Sequence, residues 1–248
     1  MNQILNHLKA QLSSLKLNGI SANLDARLSS SKTQELNFES LLSLLLQDEI
    51  EKRNYTKKLR LIKRASFSQK ATLENFDLSE PRGVTKKTLS DLKSLCFLSS
   101  GMNIIFSGPT GVGKSFLSQA VGHELCNYGK TVLFYRVNNL LERINLEKIK
   151  NNYLNFIKKT SAADLLILDD FGIKPLEPEQ YQNLYDIIEN RGEDKSILLT
   201  TQIPVTNWNE IIEDPVVCEA VTDRLESQSL SIEMTGDSYR PKRGRKKK

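Results

Sequence analysis

Long apolar runs are missing from this chain. No stretch of its 248 residues approaches the roughly 18 consecutive apolar residues that a membrane-spanning helix needs, so no membrane association is expected. The first residues, MNQILNHLKAQ, lack the apolar stretch of a secretory signal, and a cytoplasmic location is the expectation. Cysteine is scarce. Cys96, Cys126 and Cys218 are far apart, odd in number, and form no CxxC pair and no ligand cluster with His7 or His123. That excludes a disulfide framework and a zinc site and fits reduced thiols. No internal repeat is visible. The apolar content of 39% and charged content of 26% exclude a disordered chain.

Charge is present but uneven. The net +5 rests on residues 240–248, RPKRGRKKK, which hold seven basic groups and no acid. Without them the balance is 28 basic against 30 acidic. Such a tail is either a solubilising end or a nucleic-acid arm.

The N-terminal third reads as helical. Ile4, Leu5, Leu8, Leu12 and Leu15 recur at helical spacing over 2–17, and Gly19 is suited to the left-handed position after that helix. A short helix over 20–30, a polar loop at 29–35 and a long helix from Phe38 to Ser66, capped by Asn37, follow. The first half of the long helix is leucine-rich. Residues 51–70, around its second half, hold eight basic residues and one acid. Residues 1–66 are expected to form a small helical domain, with 67–85 as a linker, 86–239 as the main domain and 240–248 as the tail. After residue 90 apolar strands (103–108, 131–136, 164–169, 196–201, 230–234) alternate with helices, the helical stretch 138–159 breaking near 145. This pattern predicts an α/β fold with a parallel sheet covered on both faces.

GPTGVGKS (108–115) satisfies the P-loop pattern G-x-x-x-x-G-K-[ST], and it stands between an apolar strand and an amphipathic helix as that loop requires. Gly108, Gly111 and Gly113 allow close approach, and Pro109, Thr110 and Val112 complete the loop. Its amides and the helix end can surround phosphate oxygens. Lys114 supplies a charge to the β and γ phosphates, and the Ser115 hydroxyl can ligate Mg²⁺, so ATP and Mg²⁺ are the expected cofactors. P-loop folds hold Mg²⁺ with a carboxylate ending the strand beside the P-loop strand. In LLILDDFG (165–172) Asp169 takes that place. Asp170 follows, one methylene shorter than the usual glutamate, in the position to polarise the attacking water. The strand SILLTTQIP (196–204) is expected between the other two, so Thr201 or Gln202 could reach the γ phosphate or that water.

Together, GPTGVGKS, LLILDDFG, LLTTQIPVTNWNEIIEDP, AVTDRL and the closing DSYR (237–240) resemble the IstB family of ATP-binding transposition helpers of insertion sequences. The resemblance covers nearly the whole chain, and DSYR is shared in form with the helicase loader DnaC. It implies an AAA+ ATPase with ATP between neighbouring subunits of a homo-oligomer. Carried over, Asp169 is the Mg²⁺ acid, Asp170 the catalytic acid, and Thr201 or Gln202 the first sensor. Arg224 in TDRL is the arginine finger acting on the neighbour's ATP, Arg240 the second sensor, and Phe76 a residue near the adenine. The expected partners are duplex DNA and a transposase. Lys57, Lys58, Arg60, Lys63 and Arg64 recur on the long helix as candidate DNA contacts, with Tyr55 and Phe67 beside them. The alternative is a helicase loader that docks a replicative helicase. A metabolic P-loop kinase would need no finger arginine.

Overall fold

A computed structural model of the chain describes residues 2–192, 194–212 and 214–240 and divides into two compact units, Met1–Arg60 and Leu61–Lys248. The boundary falls inside a helix, six residues before the expected domain end at 66.

In the first unit, α1 (Asn2–Ser14), α2 (Asn18–Thr33) and the start of α3 (Phe38–Ala65) enclose a small core of Leu12, Ile20 and Leu24. Asn37 caps α3 as expected, its Oδ1 accepting from the Ser40 amide at 2.9 Å. Two expectations fail here. The polar stretch 29–33 stays helical, with the Ser31 and Thr33 hydroxyls donating back to the carbonyls of Leu28 and Ser29. Gly19 does not end α1. Lys16 takes the left-handed angle (φ 59°), and Gly19 lies in the first turn of α2. Gly19 is required there for space. A Cβ on it would lie 2.5 Å from Asp48 O and 2.6 Å from Glu49 Cα. That closeness lets Glu49 accept from the amides of Gly19 (2.6 Å) and Ile20 (3.3 Å), anchoring a carboxylate at the positive end of α2. Asp48 accepts a bidentate pair from Arg27 at 2.9 and 2.7 Å.

The second unit comprises the end of α3, a 3-10 turn (Leu73–Asn75), α4 (Lys86–Ser94), α5 (Cys96–Ser99), β1 (Asn103–Ser107), α6 (Lys114–Asn127), β2 (Val132–Arg136), α7 (Val137–Ile149), α8 (Tyr153–Ser161), β3 (Leu165–Phe171), α9 (Pro178–Glu189), β4 (Ser196–Thr201), a 3-10 segment (Val205–Glu210), α10 (Pro215–Glu226) and β5 (Ser229–Glu233). The five strands form a parallel sheet in the order β2-β3-β4-β1-β5. β4 thus separates β3 from the P-loop strand, as expected for 196–204, and β3 is not the direct neighbour of β1. Parity sorts the strand residues. Ile104, Phe106, Leu165, Ile167 and Leu198 pack with α6 on one face, while Ile105, Leu166, Leu168, Ile197 and Leu199 pack with α7–α10 on the other. Burial on both faces is why these strands read as unbroken apolar runs. The helical break comes at 150–152, not near 145.

Residues 67–85 are no linker. Ala71, Leu73, Phe76 and Val84 are buried in the core beside α6. Their irregular spacing follows an extended path over the core, so periodicity does not reveal it. The tail residues 241–248 lie outside the described residues.

Gly19→Ala should destabilise the N-terminal unit by about 1–3 kcal/mol or more, because both clashing atoms are main chain. Urea unfolding followed by helical circular dichroism checks this, and an unchanged midpoint would show that α2 and α3 can separate freely.

Candidate nucleotide site

The parallel strands bring the ends of β1, β3 and β4 to one edge, where they border a cleft of about 900 Å³. The P-loop leaves β1 with Gly108, Gly111 and Gly113 at φ of 132°, 90° and 109°. Thr110, Gly111, Gly113, Lys114 and Ser115 line the cleft, whereas the Val112 side chain is buried in the core. Lys114 is buried and donates from Nζ to the carbonyls of Gly108 (2.6 Å) and Pro109 (2.9 Å). Burial pushes its pKa down, opposed by the charges of Asp170 and Asp169 and assisted by Arg240.

β3 explains how two successive aspartates reach one cleft. Its pairing with β4 matches Leu168 to Leu199 but Phe171 to Thr201, so β3 carries one extra residue. Asp170 absorbs the extra residue in a left-handed conformation, φ 64°. Asp169 and Asp170 then both line the cleft instead of facing opposite sides. Thr200 holds the bulge: its hydroxyl donates to Asp169 Oδ1 at 2.7 Å and accepts from the Asp170 amide at 3.0 Å. Burial raises the Asp169 pKa above the ordinary carboxylate value; the Thr200 and Ser115 hydroxyls oppose the shift, and the Asp170 charge adds to it. Asp170 is partly exposed, with Arg136 Nε 3.9 Å away.

Of the pair Thr201 and Gln202, only Gln202 lines the cleft. The Thr201 hydroxyl is engaged with the main chain of Ile203, both as donor and acceptor at 3.1 Å. Thr200 points the other way by strand alternation and meets the aspartates; sequence alone does not say which parity faces them. Phe76 and Arg240 border the cleft as expected. Beside them stand residues that the sequence did not flag. Arg82 lies between the rings of Phe76 (4.1 Å) and Tyr239 (4.4 Å), with its pKa lowered by burial.

A family profile described as "IstB-like ATP binding protein" matches residues 10–247. A Mycobacterium tuberculosis protein named as an ATP-binding protein in an insertion sequence is 33% identical, over 95% of this chain and 94% of that one. The IS21 ATP-binding protein of Pseudomonas aeruginosa is 31% identical over 98% and 91%. The chain belongs to the IstB-like ATP-binding family. Among solved structures, DnaA of Aquifex aeolicus with bound AMPPCP shares the fold (TM-score 0.59, 24% identity), covering 73% of this chain but only 56% of that one. The DnaC helicase loader does likewise (TM-score 0.56, 20% identity; 66% and 97% covered). The unit from Leu61 onward is an AAA+ P-loop fold.

In this IstB-like chain Arg224 stands apart from the cleft. The Arg224 carbonyl accepts from Asn103 Nδ2 (3.1 Å), and Asn103 opens β1, whereas the P-loop follows the other end of that strand. A strand of this length separates the two by about 15 Å. The Arg224 guanidinium pairs with Glu189 of α9 at 2.9 Å, not with Asp223 or Glu226 on its own helix. On α3, Lys57, Arg60, Lys63 and Arg64 are exposed and Lys58 is half-buried. Tyr55 is exposed, but Phe67 turns inward, 4.2 Å from the His123 ring. It therefore cannot stack on a nucleic acid. Among the described residues no helix is long and apolar enough to cross a membrane.

The raised pKa of Asp169 has a signed consequence. The fold without nucleotide binds this proton more tightly than the unfolded chain does, so ionising Asp169 costs stability. The cost is full above the folded pKa and absent below the ordinary aspartate value of about 4. Asp169→Asn should therefore raise the melting temperature at neutral pH, and the gain should shrink as pH falls toward 4. Thermal unfolding without nucleotide across that range checks this; a variant less stable than wild type at pH 7 contradicts it.

Proposed function

We propose that this chain is an ATP-hydrolysing, DNA-binding AAA+ protein that assembles on duplex DNA in the cytoplasm and assists the transposase of an insertion sequence. The observation that carries the catalytic part is the split placement of the charged residues. Lys114, Asp169, Asp170, Gln202 and Arg240 share one cleft, and Arg224 lies at the other end of the sheet.

The cleft suits a nucleotide with Mg²⁺. It offers a buried cation with only loop carbonyls for partners, and a carboxylate and a hydroxyl, Asp169 and Ser115, the hard oxygen donors that this ion prefers. Asp169 and Ser115 would hold Mg²⁺, which would supply positive charge against the phosphates. Lys114 leaves Gly108 O and Pro109 O for the phosphates. Asp170 accepts a proton from the attacking water, and Gln202 orients that water. Arg240 contacts the phosphates in its own subunit, and Phe76 lies on the adenine side. Arg224 completes the site of the neighbouring subunit, where its charge stabilises the transferring phosphoryl group. The short reach of Asp170 makes turnover slow until DNA or a partner gathers subunits.

Lys114→Ala and Arg224→Ala should each lose ATPase activity. A mixture of the two should regain part of it, because each lacks a different half of a shared site. A mixture no more active than its components would place Arg224 outside the reaction.

The basic half of α3 is the proposed duplex contact. Each phosphate neutralised contributes about −0.9 to the slope of log K against log[salt]. Replacing Lys57, Lys58, Arg60 and Lys63 by Ala should weaken duplex binding and flatten that slope by about three units, with ATP binding intact. Unchanged affinity and slope would favour the second reading, a helicase loader. That reading draws on the first half of α3, where Phe38, Leu42, Leu46 and Ile50 recur every four residues and are all exposed, a face suited to docking a protein.

A further inference from the structure

Two residues of the cleft wall with no assigned role, Arg82 and Tyr239, grip the P-loop. Arg82 Nη1 donates to the Val112 carbonyl at 2.9 Å, and Nη2 donates to the Asp77 carbonyl at 2.5 Å. The Tyr239 amide donates to the Gly111 carbonyl at 3.0 Å, and its hydroxyl donates to Asp77 Oδ2 at 2.6 Å. The Arg82 guanidinium lies against the Tyr239 ring, so Arg82, Tyr239 and Asp77 are linked to one another. Ser238 presses on the loop as well: a Cβ on Gly111 would lie 2.2 Å from its Oγ, so the segment 237–240 fits only against glycine.

Peptide geometry gives these contacts a consequence. In a planar trans peptide the C=O and N–H point in opposite directions. Holding the Gly111 carbonyl toward Tyr239 turns the Val112 amide away from it, and holding the Val112 carbonyl toward Arg82 does the same for the Gly113 amide. Among the described residues, neither amide donates a hydrogen bond within the protein. Both stand in the loop whose neighbours Lys114 and Ser115 line the cleft.

We propose that Arg82 and Tyr239 are positioning residues for phosphate binding, fixing two successive peptide planes so that the Val112 and Gly113 amides are pre-aimed at the phosphates; this rests on the nucleotide-cleft reading above. Burying an arginine is costly unless its donors are met. Here both terminal nitrogens go to main-chain carbonyls, while the buried Nε has no hydrogen-bond partner among the described residues. The charges of Asp77 and Glu80 help to keep the guanidinium charged despite its burial, and it stands in the wall of the cleft. Arginine is required because one planar fork must reach two carbonyls between two rings, which a lysine ammonium cannot do.

Binding of ATP and ADP to the full chain tests this by calorimetry, with urea unfolding in parallel and the ³¹P resonance of saturating bound ADP as a geometric readout. Arg82→Gln should weaken ATP by about tenfold or more, the scale of losing charged hydrogen bonds. It should also shift the β-phosphate resonance at saturation. Arg82→Lys should not rescue either effect. Tyr239→Ala, which keeps the main-chain contact but loses the ring and the Asp77 bond, should weaken ATP by a smaller factor. If Arg82→Gln does not fold, Tyr239→Ala and its ³¹P shift decide alone. The inference is overturned if the folded variants bind ATP within twofold of wild type, or if the resonance is unmoved while only the unfolding midpoint drops. A wild-type chain that binds no ATP, or a Lys114→Ala variant that binds it normally, would instead overturn the nucleotide reading itself.

Discussion

One hydroxyl organises the edge of the sheet that borders the cleft. Thr200 has a single proton to give; it gives it to Asp169 and accepts from the Asp170 amide with its lone pair. Those two bonds clasp the extra residue of β3, and with it the left-handed Asp170. A non-glycine residue in that conformation is strained, and it persists only where its surroundings hold it. Without the clasp β3 would continue as a regular strand, and Asp170 would face the side opposite Asp169. Two adjacent carboxylates can share a cleft because the strand beside them has a hydroxyl at the matching register.

The cleft is unfavourable for its own charges until a ligand arrives. Lys114 is buried on carbonyls, and Asp169 is buried with only hydroxyls against it, so each is driven toward its neutral form. On the proposed function, triphosphate would meet the lysine and a divalent ion the carboxylate. The strain that the unliganded fold carries is therefore released by the nucleotide, which favours binding without any new contact elsewhere. Loop carbonyls held by Arg82 and Tyr239 work in the same sense, because peptide planes already fixed lose less entropy when phosphates bind.

What the sequence disclosed follows from how each feature is encoded. Local patterns were legible: the P-loop lies in eight consecutive residues, the amphipathic helix expected after it is α6, and the apolar runs are the strands of the sheet. Features that depend on what lies opposite were not. Gly19 reads as a helix stop, and only the approach of Asp48 and Glu49 shows that it is needed for space. Residues 67–85 read as a linker because an extended segment lying on a core has no period to detect. Arg82 sits in that segment, and no local cue separates it from a solvated arginine; its role depends on the Val112 carbonyl and the Tyr239 ring, far along the chain. Thr200 and Thr201 are neighbours of the same type, and the bulge on the adjacent strand decides between them.

The separation of Arg224 from the cleft constrains how such a protein can be controlled. An arginine that serves a neighbour must be held where it does no harm in the isolated subunit, yet cost little to release. Its pair with Glu189 meets both conditions. Both side chains are 41% exposed, and exposed ion pairs of this kind contribute only about 0–1 kcal/mol. A buried pair would have locked the arginine in place, since breaking it would leave a carboxylate stranded out of water. If Arg224 serves the neighbouring subunit, that subunit's phosphates would compete with the Glu189 carboxylate for it once the two are adjacent. On the proposed role, ATP turnover would then be set by whatever brings subunits together rather than by the affinity of the cleft alone.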